Sequence, residues 1–439
     1  MLGWKMLKNG DYKIDLPRLS SEEEKVIEEV EEEFKQRTRS KSVSEDETEE
    51  LMRNLIFDHG DRMGVYIDAE QAEYLSRVAV LHIYGFGFIE PLLKDRKIEE
   101  ISVTGINKPV YVYIRNKGWE TVNACFTDEN SIMDVVNRMG RKIGRRITYQ
   151  NPRIDAMLPD GSRLHASLHP VSAGEITIRK FRERPFSPKE LCDNKTINFE
   201  AMALLSMIMQ GDNSVLIAGN TASGKTTTMN ALFSFVPLNE RVVVTEETPE
   251  INIPHEHQVR LVANRDMEIS LKDLVYDSLR MRPDRTIVGE VRNKEEVEAL
   301  FDVILGGQAR GSYATFHSQS AMEAVQRMKT FGISDNDVSS IDYIIAQRRM
   351  LRYKDKKEIR RVVEIMGVKD RKYAFSYDLK NDRLISKGGV LAERAGEKLG
   401  LSKKETFSEL KRREKMFRKL DSEFSGCFRS LQKGLFDAS

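Results

Sequence analysis

Residues 219–226, "GNTASGKT", carry the densest chemistry in the chain. They fit G-x-x-x-x-G-K-[ST], follow the apolar run "SVLIA" and open a helical run, "TTTMNALFSF". The peptide N–H groups of Gly219, Asn220, Thr221, Ala222, Ser223 and Gly224, with the helix start through Thr227, make a cradle for phosphate oxygens. Lys225 is placed to reach β- and γ-phosphates, and the Thr226 hydroxyl to ligate Mg²⁺.

A phosphate loop that also hydrolyses needs a carboxylate at a neighbouring strand end, to hold metal or activate water. "LRMRPDRTIVGEVR" supplies Glu290, preceded by Gly289 where many such proteins carry aspartate. A glutamate beside a γ-phosphate can polarise the attacking water, and Glu290 is also a candidate metal ligand with Thr226. "VVVTEETPE" adds Glu246, Glu247 and Glu250 after another apolar run. Three carboxylates at the carboxyl end of a strand are costly unless a cation or water uses them. Arg280, Arg282 and Arg292 flank the Glu290 strand, and Arg163 and Arg179 lie earlier in the chain. An arginine can neutralise charge on a transferred phosphoryl group from its own subunit or a neighbour.

"GGQARGSYATFHSQS" delivers His317, one of seven histidines, to the end of a strand-like run. No second histidine lies at ligand spacing, which disfavours a metal site, and Glu290 already fills the role of base. A sensor of the γ-phosphate and a structural strut remain open for His317.

These residues need a sheet whose strands end at one edge. From 198 to 389 apolar runs of strand length ("SVLIAG", "RVVVTEE", "RTIVGE", "SYATF") alternate with helical segments, the pattern of a largely parallel sheet in an α/β fold. "RRVVEIMGVKDRKYAFSYDLKNDRLI" reads instead as an antiparallel meander. Residues 66–183 form a smaller α/β domain, with strands at "EEISVTG", "PVYVYI" and "GEITIRKF" and a helix through "ENSIMDVVNRMGRKIG". Residues 1–65 read as a charged helical lead-in with a sparse apolar row (Val26, Ile27, Val30, Phe34), 184–197 as a linker with two prolines, and 390–439 as a helical C-terminal segment.

A net charge of +1 and the lack of aromatic-rich basic stripes argue against nucleic acid as partner. Three scattered cysteines argue against a disulfide framework and suit a reducing compartment. The start "MLGWKMLKNGDYKID" lacks an apolar segment of signal-peptide length, so a cytoplasmic chain is expected.

The order "GNTASGKT", "TEETPEI", "RPDRTIVGEVR", "GQARGSYATFHSQS" resembles the secretion and pilus-assembly ATPase superfamily, most of all its archaeal branch. "YGFGFIEPLLKDRKIEEISV", "NPRIDAMLPDGSRLHASLHP" and "ITIRKF" resemble that family's N-terminal domain, so the likeness runs over about residues 70 to 350. It implies a RecA-like ATPase domain after a smaller α/β domain, Mg²⁺-dependent ATP hydrolysis and a homo-hexameric ring. It also implies a polytopic platform protein as partner at the cytoplasmic face of a membrane, with pilin-like or secreted substrates. Lys225 and Thr226 become the Walker A residues and Glu290 the Walker B glutamate. "TEETPE" becomes the Asp box and His317 part of the His box, while Arg163, Arg179, Arg280 and Arg282 become candidates to contact nucleotide. Two departures stand out: Glu246-Glu247 where the family usually has Glu-Asp, and Gln308 where an earlier histidine is usual. A nucleic-acid translocase on the same core, and a nucleotide switch that does not hydrolyse, are the alternatives.

Overall fold

The computed structural model describes residues 4–14, 19–38, 45–83, 85–115, 117–141, 143–181, 184–264, 267–307, 309–353 and 355–436; Gln308 lies outside them. The chain divides into two compact units, Met1–Glu183 and Arg184–Ser439.

The first unit opens with helices Ser21–Arg37, Glu45–Met63 and Ala69–Ile83. Ser20 starts the first of them: its side chain accepts from the Glu23 N–H, while the Glu23 carboxylate accepts from the Ser20 N–H at 2.6 Å. The charged lead-in proves to carry a core of its own. Val26, Ile27, Val30 and Phe34 are all buried, packed with Met52, Leu55, Ile56, Ala72 and Leu75 into a separate core. Four apolar side chains on one face suffice once two further helices cover them; the charged residues fill the outer face. After the helices comes a six-stranded antiparallel sheet in the order Gly118–Thr121, Tyr111–Ile114, Ile98–Val103, Glu175–Arg179, Arg163–Ser167, Arg153–Met157. The helix Glu129–Arg141 buries Ile132, Val135, Val136 and Met139 against this sheet, in a core distinct from that of the three helices.

The second unit is built on a nine-stranded sheet. Six strands run parallel, in the order Gln258–Val262, Val242–Glu246, Arg285–Val291, Gly311–Phe316, Val215–Gly219, Tyr343–Arg352. Lys357–Gly367, Lys372–Asp378 and Arg383–Ser386 then continue it as the antiparallel meander. The runs "VLIAG", "VVVTE" and "GSYATF" are buried at every position, which accounts for their lack of alternation. Thr245 pairs with Val288, Val291 with Phe316, and Phe316 with Ala218. That register sets the ends of four strands along one edge, where an open α/β sheet binds its ligands. The RecA-like α/β class with a smaller α/β unit before it is thus the observed one.

One expectation about connections changes. Residues 184–197 are not a free linker: Pro188–Asp193 is a helix, and Leu191, Cys192 and Ile197 enter the second unit's core. The C-terminal helices Val390–Glu397, Lys403–Lys419 and Phe424–Phe436 cap that core, with the Phe417 ring stacked on Phe235 at 5.4 Å. Among the described residues no helix is long and apolar enough to cross a membrane.

Phe34→Ala should cost the three-helix core on the order of 3–5 kcal/mol. Hydrogen exchange is expected to show lost amide protection across residues 21–83 and none lost in the second unit. Unchanged protection in those helices would return the segment to a solvated lead-in.

Candidate functional site

The strand Val215–Gly219 hands the chain to the phosphate loop, and the helix Lys225–Leu232 takes it away. The glycines are required by space and by backbone geometry. A Cβ on Gly219 would lie 2.3 Å from the Gln347 carbonyl oxygen, and Gly224 adopts φ +96° where the helix begins. Ala222 also holds a positive φ, +57°. The loop is clamped from the neighbouring strand by Gln347, which is 2% exposed. Its Oε1 accepts the Thr228 hydroxyl at 2.6 Å and its Nε2 donates to the Ser223 carbonyl at 2.7 Å. Asn220 adds two bonds to the Arg349 backbone, at 3.1 and 2.9 Å. Sequence reading missed Gln347; the signal was a lone amide at the end of the apolar run "YIIA".

Lys225, 7% exposed, points into the loop mouth with its Nζ 3.3 Å from the Gly219 carbonyl and 3.4 Å from Glu290 Oε1. Glu290 reaches this position through a β-bulge: the register with Gly311–Phe316 shifts between Val288 and Glu290, leaving Gly289 as the extra residue. A Cβ on Gly289 would sit 3.0 Å from Glu246 Cγ, so Glu246 fills the space that a larger residue would need there. Glu290 Oε1 also lies 2.9 Å from His317 Nε2, and its Oε2 accepts from Arg292 Nε at 2.9 Å and Nη2 at 2.6 Å. Burial disfavours the charged form of Glu290, but Lys225 and then Arg292 outweigh it and hold the carboxyl below its ordinary range. Burial, and then the Lys225 charge, push His317 below the ordinary imidazole value. The ring is therefore neutral at neutral pH, with its Nε2 beside the Glu290 carboxylate.

The three glutamates at the end of Val242–Glu246 and in the loop after it separate into three tasks. Glu246 is 1% exposed, and its Oε1 accepts the Glu250 and Ile251 N–H groups, both at 2.7 Å. It shapes the loop rather than meeting the reacting edge, which corrects its place among the catalytic candidates. Glu250 accepts the Thr226 hydroxyl at 3.0 Å. Glu247 pairs with Arg292 Nη1. Thr226 thus has Glu250 beside it, whereas Glu290 meets Lys225, Arg292 and His317.

The candidate arginines divide as well. Arg280 and Arg282 are exposed in the turn before Arg285–Val291, at the end of that strand opposite Glu290; Arg280, with 84% of its side chain exposed, has Asp277 at 3.8 Å. Five to seven residues of strand put them roughly 15–20 Å from this chain's own phosphate loop edge, so they do not join the site within one chain. Arg163 and Arg179 are direct cross-strand partners in the first unit, and Arg163 also grips Asp155 at 2.9 and 3.2 Å.

Burial raises the Glu246 carboxyl from its ordinary 4.5 to about 7. The folded chain then binds this proton more tightly than the unfolded chain. The resulting stability is full below about pH 4.5 and fades as pH rises through about 7. Glu246→Gln carries no such fade. Urea unfolding is expected to show the variant gaining on the parent, between pH 5 and pH 8, by on the order of 3 kcal/mol. A difference that does not change with pH would overturn the assignment.

Residues 83–378 match the family described as "Type II/IV secretion system protein". An uncharacterised protein of Methanocaldococcus jannaschii, MJ0781, is 34% identical over 261 residues, 56% of this chain and 35% of that protein. A second from the same organism, MJ0900, is 31% identical over 331 residues, 74% of this chain and 59% of its own length. The type IV secretion system protein VirB11 of Bartonella quintana is 27% identical over 281 residues, 55% of this chain and 78% of VirB11. The chain spans about a third and three-fifths of the two archaeal relatives. With the family match covering more than half of its residues, the chain belongs to the type II/IV secretion system protein family, the superfamily that its motif order resembles.

Proposed function

We propose that the chain is an ATPase that hydrolyses ATP at the phosphate-loop edge and, as a homo-hexameric ring, powers protein secretion or assembly of a pilus-like filament through a membrane platform protein. The observation that carries this reading is the meeting of Lys225, Glu290 and His317 at adjacent strand ends. A cation for the phosphates, a carboxylate for the water and a neutral imidazole beside it are the parts phosphoanhydride hydrolysis needs.

Gly219 to Thr227 would cradle the triphosphate, with Lys225 leaving Glu290 for the phosphate oxygens. The freed Glu290 carboxylate takes a proton from water as the water oxygen bonds to the γ-phosphorus. The bond from that phosphorus to the β,γ-bridging oxygen breaks, and ADP leaves with phosphate. The donor set fits Mg²⁺: the Thr226 hydroxyl lies against the Glu250 carboxylate, both hard oxygen donors. Thr226 would ligate the ion, with Glu250 and Glu290 as the nearby carboxylates, and the ion would neutralise phosphate charge. Arg163 and Arg179 are the candidates to reach the nucleotide from the first unit. Exposed Arg280 and Arg282, at the opposite end of their strand, suit a neighbouring subunit's site. The ring would work from the cytoplasm at the membrane surface.

Glu290→Gln should lower phosphate release on the order of a hundredfold or more while keeping affinity for a fluorescent ATP analogue. Lys225→Ala should lose both. Parent-level turnover in both variants would sink the proposal. His317→Ala is expected to bind ATP but turn over slowly; if it fails to fold, His317 is a strut instead.

A further inference from the structure

We infer that Arg292 is the positioning residue of the hydrolytic carboxylate, and that Glu247 is its anchor. The inference rests on the ATPase reading above and gives Arg292 and Glu247 specific parts within it.

Arg292 stands where the chain turns from the strand Arg285–Val291 into the helix Lys294–Gly306. Its backbone is fixed there: its N–H donates to Glu296 Oε2 at 2.7 Å, and Asn293 caps the helix by accepting from the Glu296 N–H at 3.0 Å. The planar guanidinium then divides its donors. Nε and Nη2 both reach Glu290 Oε2, at 2.9 and 2.6 Å, while Nη1 goes to Glu247. The opposite oxygen, Oε1, is left facing Lys225 and His317. One carboxylate oxygen is thus held and the other is presented to the loop mouth.

The division matters once Lys225 moves to the phosphates. Glu290 loses one of its cations, and Arg292 then holds the Oε2 side of its carboxylate. Arg292 is in turn kept from swinging out to solvent by Glu247, on the loop that also delivers Glu250 to Thr226. Loop and strand end are therefore coupled through one side chain. A lysine at 292 has no rigid fork and can serve only one of the two carboxylates well.

The experiment measures steady-state kinetics and fluorescent ATP-analogue affinity for Arg292→Ala, Arg292→Lys, Glu247→Gln, Glu290→Gln and the Arg292→Ala, Glu290→Gln double variant. Arg292→Ala should lower kcat on the order of tenfold to a hundredfold with KM and affinity changed by no more than about threefold. Arg292→Lys should recover part of that loss, and Glu247→Gln should show a smaller fall of the same kind. In the Glu290→Gln background the Arg292→Ala change should add nothing, because the group it positions is gone. Full kcat in Arg292→Ala, with Glu290→Gln inactive, overturns this inference alone. Active Glu290→Gln overturns the ATPase reading beneath it. If Arg292→Ala loses affinity or thermal stability in step with kcat, and equally so in the Glu290→Gln background, Arg292 is merely structural and the inference fails.

Discussion

The Lys225 ammonium, at the start of the helix that follows the strand Val215–Gly219, lies 3.4 Å from the Glu290 carboxylate. A third strand separates Val215–Gly219 from the strand of Glu290 in the sheet, and most of the second unit serves to bring the two groups together. Lys225 is in place because Gly219 and Gly224 let the loop press against Gln347. Glu290 is in place because one extra residue, Gly289, breaks the ladder with Gly311–Phe316 at the end of an otherwise regular strand. A bulge turns the side chain that follows it, and here it turns a carboxylate toward a cation. The interior position is tolerable because the charges offset one another: a buried carboxylate alone would take up a proton, while this one stays ionised beside Lys225 and Arg292.

The same edge shows how burial assigns different behaviour to identical side chains. Glu246 and Glu290 are both desolvated, yet burial prevails at Glu246 and neighbouring cations prevail at Glu290. The contrast follows from what each carboxylate meets. Glu246 is bonded by two peptide N–H groups, with Arg260 no nearer than 3.6 Å, and its Oε2 lacks a hydrogen-bond partner. Glu290 meets Lys225 and a fork of guanidinium donors. Glu246 thereby bends the loop that places Glu250 on Thr226, and Glu290 faces the mouth of the phosphate loop.

Local signals in the sequence exposed the phosphate loop, the Glu290 strand and the His317 strand, because each motif sits at the end of a buried apolar run that reads as a parallel strand. What stayed hidden depends on distant partners. The row Val26, Ile27, Val30 and Phe34 looks sparse until two other helices cover it. The strand Gln258–Val262 is only partly buried at the sheet edge, and Tyr343–Arg352 ends in a run of arginines, so neither resembles the interior strands. The inward turn of Glu246 depends on the bare Gly289 in the next strand. The placement of Arg280 and Arg282 was legible in principle. Residues just before a parallel strand lie at the opposite edge from residues at its end, so the pair and Glu290 cannot share one chain's site.

A protonated His317 imidazole would compete with Lys225 and Arg292 for the Glu290 carboxylate and repel both cations, whereas burial and the Lys225 charge keep the ring neutral. The neutral ring sets its Nε2 2.9 Å from Glu290 Oε1, the oxygen that also meets Lys225. Its backbone is held separately, by Arg327, whose guanidinium donates to the His317 carbonyl and lies 5.2 Å from the Phe316 ring. The imidazole is therefore fixed at its base and free to exchange partners at its tip. When phosphate draws Lys225 away from Glu290, the ring keeps its Nε2 near the same oxygen, and the helix carrying Arg327 receives any shift of the His317 backbone. On the proposed reading, a residue built in this way acts as sensor and strut at once: the strut fixes the point from which the sensing contact is made.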